Sequence, residues 1–119
     1  MSTERHGNLG LDDVIDMALK LPEVDLREWT NWTSIRVCGK GFAWLSQTEG
    51  KLSLKSLRDE QQALVAEQPE VFAESYTTGR FGWLSIRVDA IDPGEMQELV
   101  TEAWRLSAPV RLAKSVGLG

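Results

Sequence analysis

Alternation of apolar and polar residues with a period of two is the feature that most constrains how this 119-residue chain folds. Four segments alternate in this way: residues 34–38, 42–47, 51–55 and 83–88. A period of two is typical of β-strands with one buried face. Because Gly39-Lys40-Gly41 and Glu49-Gly50 separate the first three segments, the pattern predicts a local antiparallel meander of three strands and a fourth strand further along.

Helical patterns surround these strands. Apolar residues at helical spacing predict a first helix over residues 11–19, with acids on its opposite side. Ser56, followed by Asp59 three residues later, resembles a capping box and predicts a second helix over residues 57–67. Asp92-Pro93-Gly94-Glu95 is a strong start signal for a third helix, which Pro109 ends, and one more turn is expected over residues 110–114. Residues 23–33, which include Trp29 and Trp32, are interpreted as a connector, and Phe72 and Tyr76 are assigned to a loop.

These patterns predict an α+β fold, with helices packed on one face of an antiparallel β-sheet and the element order α-βββ-α-β-α. Residues 1–8 are polar and unpatterned, and we interpret them as a flexible N-terminal tail. Residues 9–119 are expected to form a single domain, as the length of the chain suggests.

Alternation divides the strand residues into two faces. The face expected under the helices holds Ile35, Val37, Ala43, Leu45, Leu52, Leu54, Leu84, Ile86 and Val88. The opposite face receives Arg36, Phe42, Trp44, Ser46, Ser53, Lys55, Trp83, Ser85 and Arg87. Aromatic rings beside cations can stack bases and bind phosphates. Alternatively, Trp44 and Trp83 cover the sheet and pack against Trp29, Trp32 or the C-terminal segment, while the arginines pair with nearby acids.

The charge on the chain is sorted by segment. Residues 33–58 and 76–88 are rich in lysine and arginine, whereas residues 59–75 contain five acids and no base, although the net charge is −5. This sorting predicts a basic strand surface set against acidic helices, and the local field of such a surface, more than the net charge, decides which partner approaches. Lys40 and Arg80, each in a glycine-containing turn, are candidate phosphate contacts, or else ordinary solubilising residues.

Several kinds of chemistry lack the residues they need. His6 is the only histidine and Cys38 the only cysteine, so His-dependent catalysis, a disulfide and a zinc site are not expected. No glycine-rich phosphate loop is present. The sequence therefore predicts a non-enzymatic protein with no cofactor, metal or small-molecule ligand. With no membrane span or secretion signal and a single thiol, it is expected in the cytoplasm.

Several stretches resemble the YjbR/MmcQ family of small bacterial proteins: residues 35–45, residues 52–55, Gly79-Arg80-Phe81-Gly82-Trp83 with residues 86–89, and residues 102–113. The resemblance implies a compact α+β domain related to the CyaY (frataxin-like) fold. It also implies DNA binding through two β-hairpin wings, which would involve Lys40 and Arg80 here. In this sequence Phe81 stands where a second arginine is expected, and residues 31–34 replace an expected glycine-proline turn.

Three hypotheses follow. The first is a module that binds DNA or single-stranded nucleic acid through Arg36, Lys40, Lys55, Arg80, Arg87, Trp44 and Trp83. The second is a protein-interaction module in which the aromatic face of the sheet docks on a partner, since tryptophan and arginine are enriched at interface hot spots. The third, by fold analogy alone, uses Asp12, Asp13 and Asp16 to hold iron.

Overall fold

A computed structural model of the chain describes residues 9–78 and 81–115, and it describes side chains for all of these except residues 75–78, 81 and 115. The helices within this part are α1 (Leu11–Leu19), α2 (Arg58–Glu67), α3 (Pro93–Ser107) and α4 (Val110–Ser115), with a short 3-10 helix at Val88–Ala90. The strands are β1 (Val24–Glu28), β2 (Thr33–Val37), β3 (Lys40–Ser46), β4 (Lys51–Leu57), β5 (Phe72–Thr78) and β6 (Phe81–Ile86). The N-terminal tail expected at residues 1–8 lies outside the described residues.

The six described strands form one antiparallel sheet in the order β1-β2-β3-β4-β6-β5. Helices α1 and α3 contact each other, and α3 packs on β3 and β4, whereas α2 packs on β4, β5 and β6. The α+β class, with helices on one face of an antiparallel sheet, is therefore confirmed.

The hydrophobic core lies between the sheet and the helices. All nine residues predicted for the inward face are buried, although Val88 lies in the 3-10 helix after β6 and not in a strand: Ile35, Val37, Ala43, Leu45, Leu52, Leu54, Leu84, Ile86 and Val88. They meet Val14 and Ala18 of α1 and the buried stripe of α3. Alternation thus identified the buried face correctly, because one helix-covered face is what gives a strand its period of two.

Helix α3 begins and packs as its sequence requires. The Asp92 carboxylate accepts a hydrogen bond from the Glu95 backbone N–H at 3.1 Å, and Pro93 occupies the first helical position. The helix buries Met96, Val100, Ala103 and Trp104. The Trp104 Nε1 donates to the Pro22 carbonyl oxygen at 3.0 Å, so the largest ring of the core also ties α3 to the segment before β1.

Two strands are additions to the prediction. Residues 23–33 are not a plain connector, because Val24–Glu28 forms β1 and pairs with β2 from Val24–Val37 to Glu28–Thr33. Residues 72–78 are not a loop but β5, in which a register shift between Glu74 and Tyr76 interrupts the regular pairing with β6. Both strands lie at edges of the sheet. Edge strands are partly exposed to solvent, so their apolar and polar residues alternate least clearly.

The predicted capping role of Ser56 is also corrected. Strand β4 continues through Leu57, which is the residue that precedes α2, and no side chain caps that helix. The buried Ser56 Oγ instead accepts a hydrogen bond from Gln61 Nε2 at 3.2 Å. A hydroxyl expected at a helix start therefore joins α2 to the strand that precedes it.

Candidate functional site

Four tryptophans form a contiguous row on the sheet face opposite the helices. Trp29 and Trp32 stack with ring centroids 3.8 Å apart, and Trp32 lies 4.3 Å from Trp44. Trp44 then meets Trp83 edge-on at 6.0 Å. Trp29 and Trp44 remain 42% and 38% exposed, so the row is a surface feature and not a second core. We call these four residues the tryptophan row.

The strand register explains why the rings meet. Trp29 and Trp32 are the first and last residues of the four-residue loop between β1 and β2, where the Trp29 N–H donates to the Trp32 carbonyl oxygen at 2.8 Å. Trp44 pairs with Ser34 on one side and Ser53 on the other. These small neighbours leave room for a large ring to lie across the strands, as cross-strand packing requires.

A cation lies against one end of the row. The Arg27 guanidinium lies 5.1 Å from the centre of the Trp29 ring, within the range of a cation–π contact. At the other end, Lys55 of β4 is the cross-strand neighbour of Trp83. Sequence reasoning had treated Trp29 and Trp32 only as packing partners and had missed Arg27, although Val24 and Leu26 alternate with charged residues as an edge strand would.

Phe42 does not belong to this surface, contrary to the prediction. The register between β2 and β3 shifts, because Ile35 pairs with Ala43 whereas Arg36 pairs with Gly41, which leaves Phe42 as the extra residue of a β-bulge. Phe42 is fully buried, while Trp44, two residues later, is exposed. A bulge inserts one residue, and regular alternation fails at that point.

Arg36 is on the predicted face, but an acid already engages it. The Arg36 guanidinium donates to the Asp25 carboxylate at 2.8 Å across the β1–β2 pair. The hydrogen bond from Arg36 is the main reason that the pKa of Asp25 lies below its usual value. The charge of Arg36 is therefore largely balanced before any phosphate approaches.

This pairing predicts a local pH response. Because the folded-state pKa of Asp25 is depressed, its contribution to stability is present above the unfolded-state value of 3.8 and is lost as the pH falls through the folded-state pKa. Replacing Arg36 with glutamine is expected to raise the pKa of Asp25 toward that value. Carbon-detected NMR of the Asp25 carboxyl group would measure this change. Lys51→Gln is the control, and an Arg36→Gln protein with an unchanged Asp25 titration would contradict the assignment.

Lys40 and Lys55 lie at the same end of the sheet. Lys40 is the first residue of β3 and not the hairpin tip, since the turn consists of Cys38 and Gly39, both with positive φ. The Lys55 Nζ donates to Ser107 Oγ at 3.2 Å, at the end of α3. Burial, and then the charge of Lys40, lowers the pKa of Lys55. These two predicted site residues therefore share one end of the sheet.

Arg87 lies at the opposite end of the sheet. It follows Ile86, which pairs with Leu52 near the start of β4, and its Nε is 3.8 Å from the Asp89 carboxylate. Both members of that pair are largely exposed, so the contact is weak. Arg80, the remaining predicted cation, lies outside the described residues. The predicted cations that the structure describes are thus not gathered into one patch.

Two further features of the described residues concern metal binding and membrane insertion. Among residues 9–78 and 81–115, no group of three or more His, Cys, Asp or Glu side chains is placed to hold a metal ion, and Asp12, Asp13 and Asp16 form no such group. Within the same residues, every helix is too short or too polar to cross a membrane.

The fold and this surface define a class of protein: a small α+β domain with helices on one face of an antiparallel sheet and an aromatic surface on the other. The chain belongs to the YjbR family, whose model matches residues 19–106. It is similar in structure to the Deinococcus radiodurans protein DR2400, a DUF419 protein, with a TM-score of 0.75 at 19% sequence identity over 97% of this chain and 93% of that one. No curated protein matches the sequence.

Proposed function

We propose that this protein is a non-enzymatic, cytosolic nucleic-acid-binding module whose tryptophan row contacts unpaired bases. One observation carries the proposal: the four rings form a contiguous row on the sheet face that the helices leave open. The centroids of successive rings are 3.8 to 6.0 Å apart. Stacking of bases on aromatic side chains tolerates any sequence and contributes about 1–3 kcal/mol per base.

Electrostatics support the same surface. Arg27 lies 5.1 Å from the centre of the Trp29 ring, so this end of the row presents a cation suited to a phosphate group. The rings lie on a sheet and not on a protruding element, which favours bases that have left a duplex, since paired bases keep their faces stacked on each other. We therefore expect single strands to bind more tightly than duplexes of the same sequence.

Tryptophan fluorescence tests the proposal directly. Titration with a single-stranded oligonucleotide should quench the emission of the exposed rings, and the quenching should weaken between about 50 and 200 mM salt. Trp44→Ala should reduce the binding free energy by about 1–3 kcal/mol, because it removes the central exposed ring. Val110→Ala, which trims an exposed apolar residue on α4, is the matched control.

Two results would count against nucleic-acid binding. One is emission that no oligonucleotide changes at either salt concentration. The other is equal affinity of the Trp44→Ala and native proteins, because binding would then occur somewhere other than the row.

A protein partner is the second candidate, and the mutual stacking of the rings favours it. Trp29 shares a face with Trp32 and has Arg27 nearby, so part of the ring area that bases would need is already occupied. Exposed tryptophan next to arginine is typical of protein interface hot spots. Capture of partners from lysate by the native protein, but not by Trp44→Ala, would support this function, whereas equal capture by both would remove it.

A further inference from the structure

A polar cleft opens at the end of the sheet where β1 and β3 stop. The loop between β1 and β2 forms one wall, and Gln47 and Thr48 of the turn between β3 and β4 form the other, around a volume of about 300 Å³. Both connections lie at this end because Glu28 pairs with Thr33, and Thr33 pairs with Leu45. The cleft therefore lies where these strands end, and residues of both sheet faces line it.

Two members of the tryptophan row belong to this cleft. Trp29 and Trp32 line it and also stack on each other at 3.8 Å, and Trp32 continues the row to Trp44. A nucleic-acid strand that follows the row would therefore bring one of its bases to the cleft. The Arg27 guanidinium, 5.1 Å from the centre of the Trp29 ring, supplies a cation for the phosphate next to that base.

The charge of the cleft favours a hydrogen-bond donor. Of the eight residues that line it, all of them described, Glu28 alone is charged. Glu28 is exposed, it joins no ion pair among the described residues, and its carboxylate accepts hydrogen bonds only. The Gln47 Nε2 donates to the Asp12 carboxylate at 3.4 Å, which leaves the Gln47 carbonyl oxygen to accept. Such a cleft repels a phosphate group and favours a neutral group that donates N–H.

We propose that this cleft recognises one unpaired base of a single strand and prefers guanine. The Watson–Crick edge of guanine carries adjacent N1–H and N2–H donors, which match the two oxygens of the Glu28 carboxylate in charge-assisted hydrogen bonds. Thymine and uracil present a carbonyl oxygen on each side of a single N–H, so the same carboxylate repels them. Unpaired bases are commonly recognised by aromatic contact together with hydrogen bonds to this edge. The inference rests on the proposed function and adds a base preference to it.

Single strands that differ at one position test the preference. One strand is all thymine, and a second carries one central guanine. The native protein should bind the guanine strand roughly tenfold more tightly, which is the discrimination that one bidentate contact supplies. A third strand with hypoxanthine at that position keeps the purine ring but lacks the N2 amino group, so it should bind more weakly than the guanine strand.

Substitution of Glu28 assigns the preference to the cleft. Glu28→Gln should lose most of the preference, and folding should persist because Glu28 is an exposed residue at the end of β1. Glu67→Gln is the matched control, since it removes the same charge from an exposed position on α2. Loss of a negative charge should strengthen binding of every strand, so the ratio of affinities, and not the affinity alone, is the measurement. That ratio should be unchanged in Glu67→Gln.

The outcomes separate the cleft from the proposed function. Equal affinity for the guanine and thymine strands would overturn the base preference and leave the proposed function standing. A preference that persists in Glu28→Gln, or that hypoxanthine fully retains, would also overturn it, because stacking alone would then explain the result. If no strand binds, NMR of the Trp29 and Trp32 indole N–H signals decides. Shifts with guanosine but not with thymidine would uphold the cleft and remove the proposed function, whereas no shift with either nucleoside would remove both.

Discussion

Replacing Trp104 with alanine is expected to lower the free energy of unfolding by about 3–5 kcal/mol, the usual cost of emptying a large core site. Trp104 is fully buried in α3, and its Nε1 donates to the Pro22 carbonyl oxygen at 3.0 Å. The substitution therefore leaves a cavity and also an unsatisfied carbonyl group. Urea unfolding of the native and variant proteins would measure the difference.

Two further variants separate the effect of the cavity from the effect of the lost hydrogen bond. Trp104→Phe keeps most of the buried ring but loses the hydrogen bond, so its cost should be clearly smaller than that of Trp104→Ala. Trp29→Ala removes the same side chain from an exposed position and should also cost less. A Trp104→Ala protein as stable as the Trp29→Ala protein would show that α3 does not pack as described.

The second large effect compares two aromatic residues of one strand. Phe42→Ala is expected to cost about 3–5 kcal/mol, because Phe42 is fully buried. Trp44→Ala should cost only about 1–2 kcal/mol, mainly from lost contacts with Trp32 and Trp83. In a regular strand, residues two positions apart lie on one face and have similar burial. A difference in stability between the two variants would therefore indicate the β-bulge.

Chemical unfolding of both variants, with nucleic-acid titration of each, makes the comparison decisive. Trp44→Ala should bind nucleic acid more weakly and keep most of its stability, whereas a folded, conservative Phe42→Leu protein should bind as the native protein does. Equal destabilisation by Phe42→Ala and Trp44→Ala would contradict the register shift between β2 and β3.

The sequence predicted those parts of the fold that local interactions determine. The cap at Asp92, the stripe of α3 and the inward face of β2 follow from propensity and periodicity within a few residues. The edge strand β1 has charged residues at three of its five positions, and β5 has an interrupted register, so neither carries a clear alternating pattern. Both are strands because a neighbouring strand offers them hydrogen bonds.

The sequence predicted individual residues of the candidate site but not their arrangement. Trp44, Trp83 and Lys55 were assigned to strands from alternation, and packing of the rings on Trp32 was one of the alternatives considered. Their assembly into a row depends on the order of the strands in the sheet, which brings the loop between β1 and β2 near β3 and places β6 one strand away from β3, and no local pattern contains this order. Phe42 was misplaced for the same reason, because the extra residue of a bulge is defined only relative to the partner strand.

The charged edge of β1 has a consequence for how the protein behaves at high concentration. An outermost strand offers unpaired backbone groups to any other extended chain, and short, charged edges discourage such pairing. Asp25, Arg27 and Glu28 place ionised groups along this edge, directly beside the exposed indoles of the loop. The domain can therefore display a broad aromatic surface while its β1 edge resists the strand-by-strand growth that leads to aggregation.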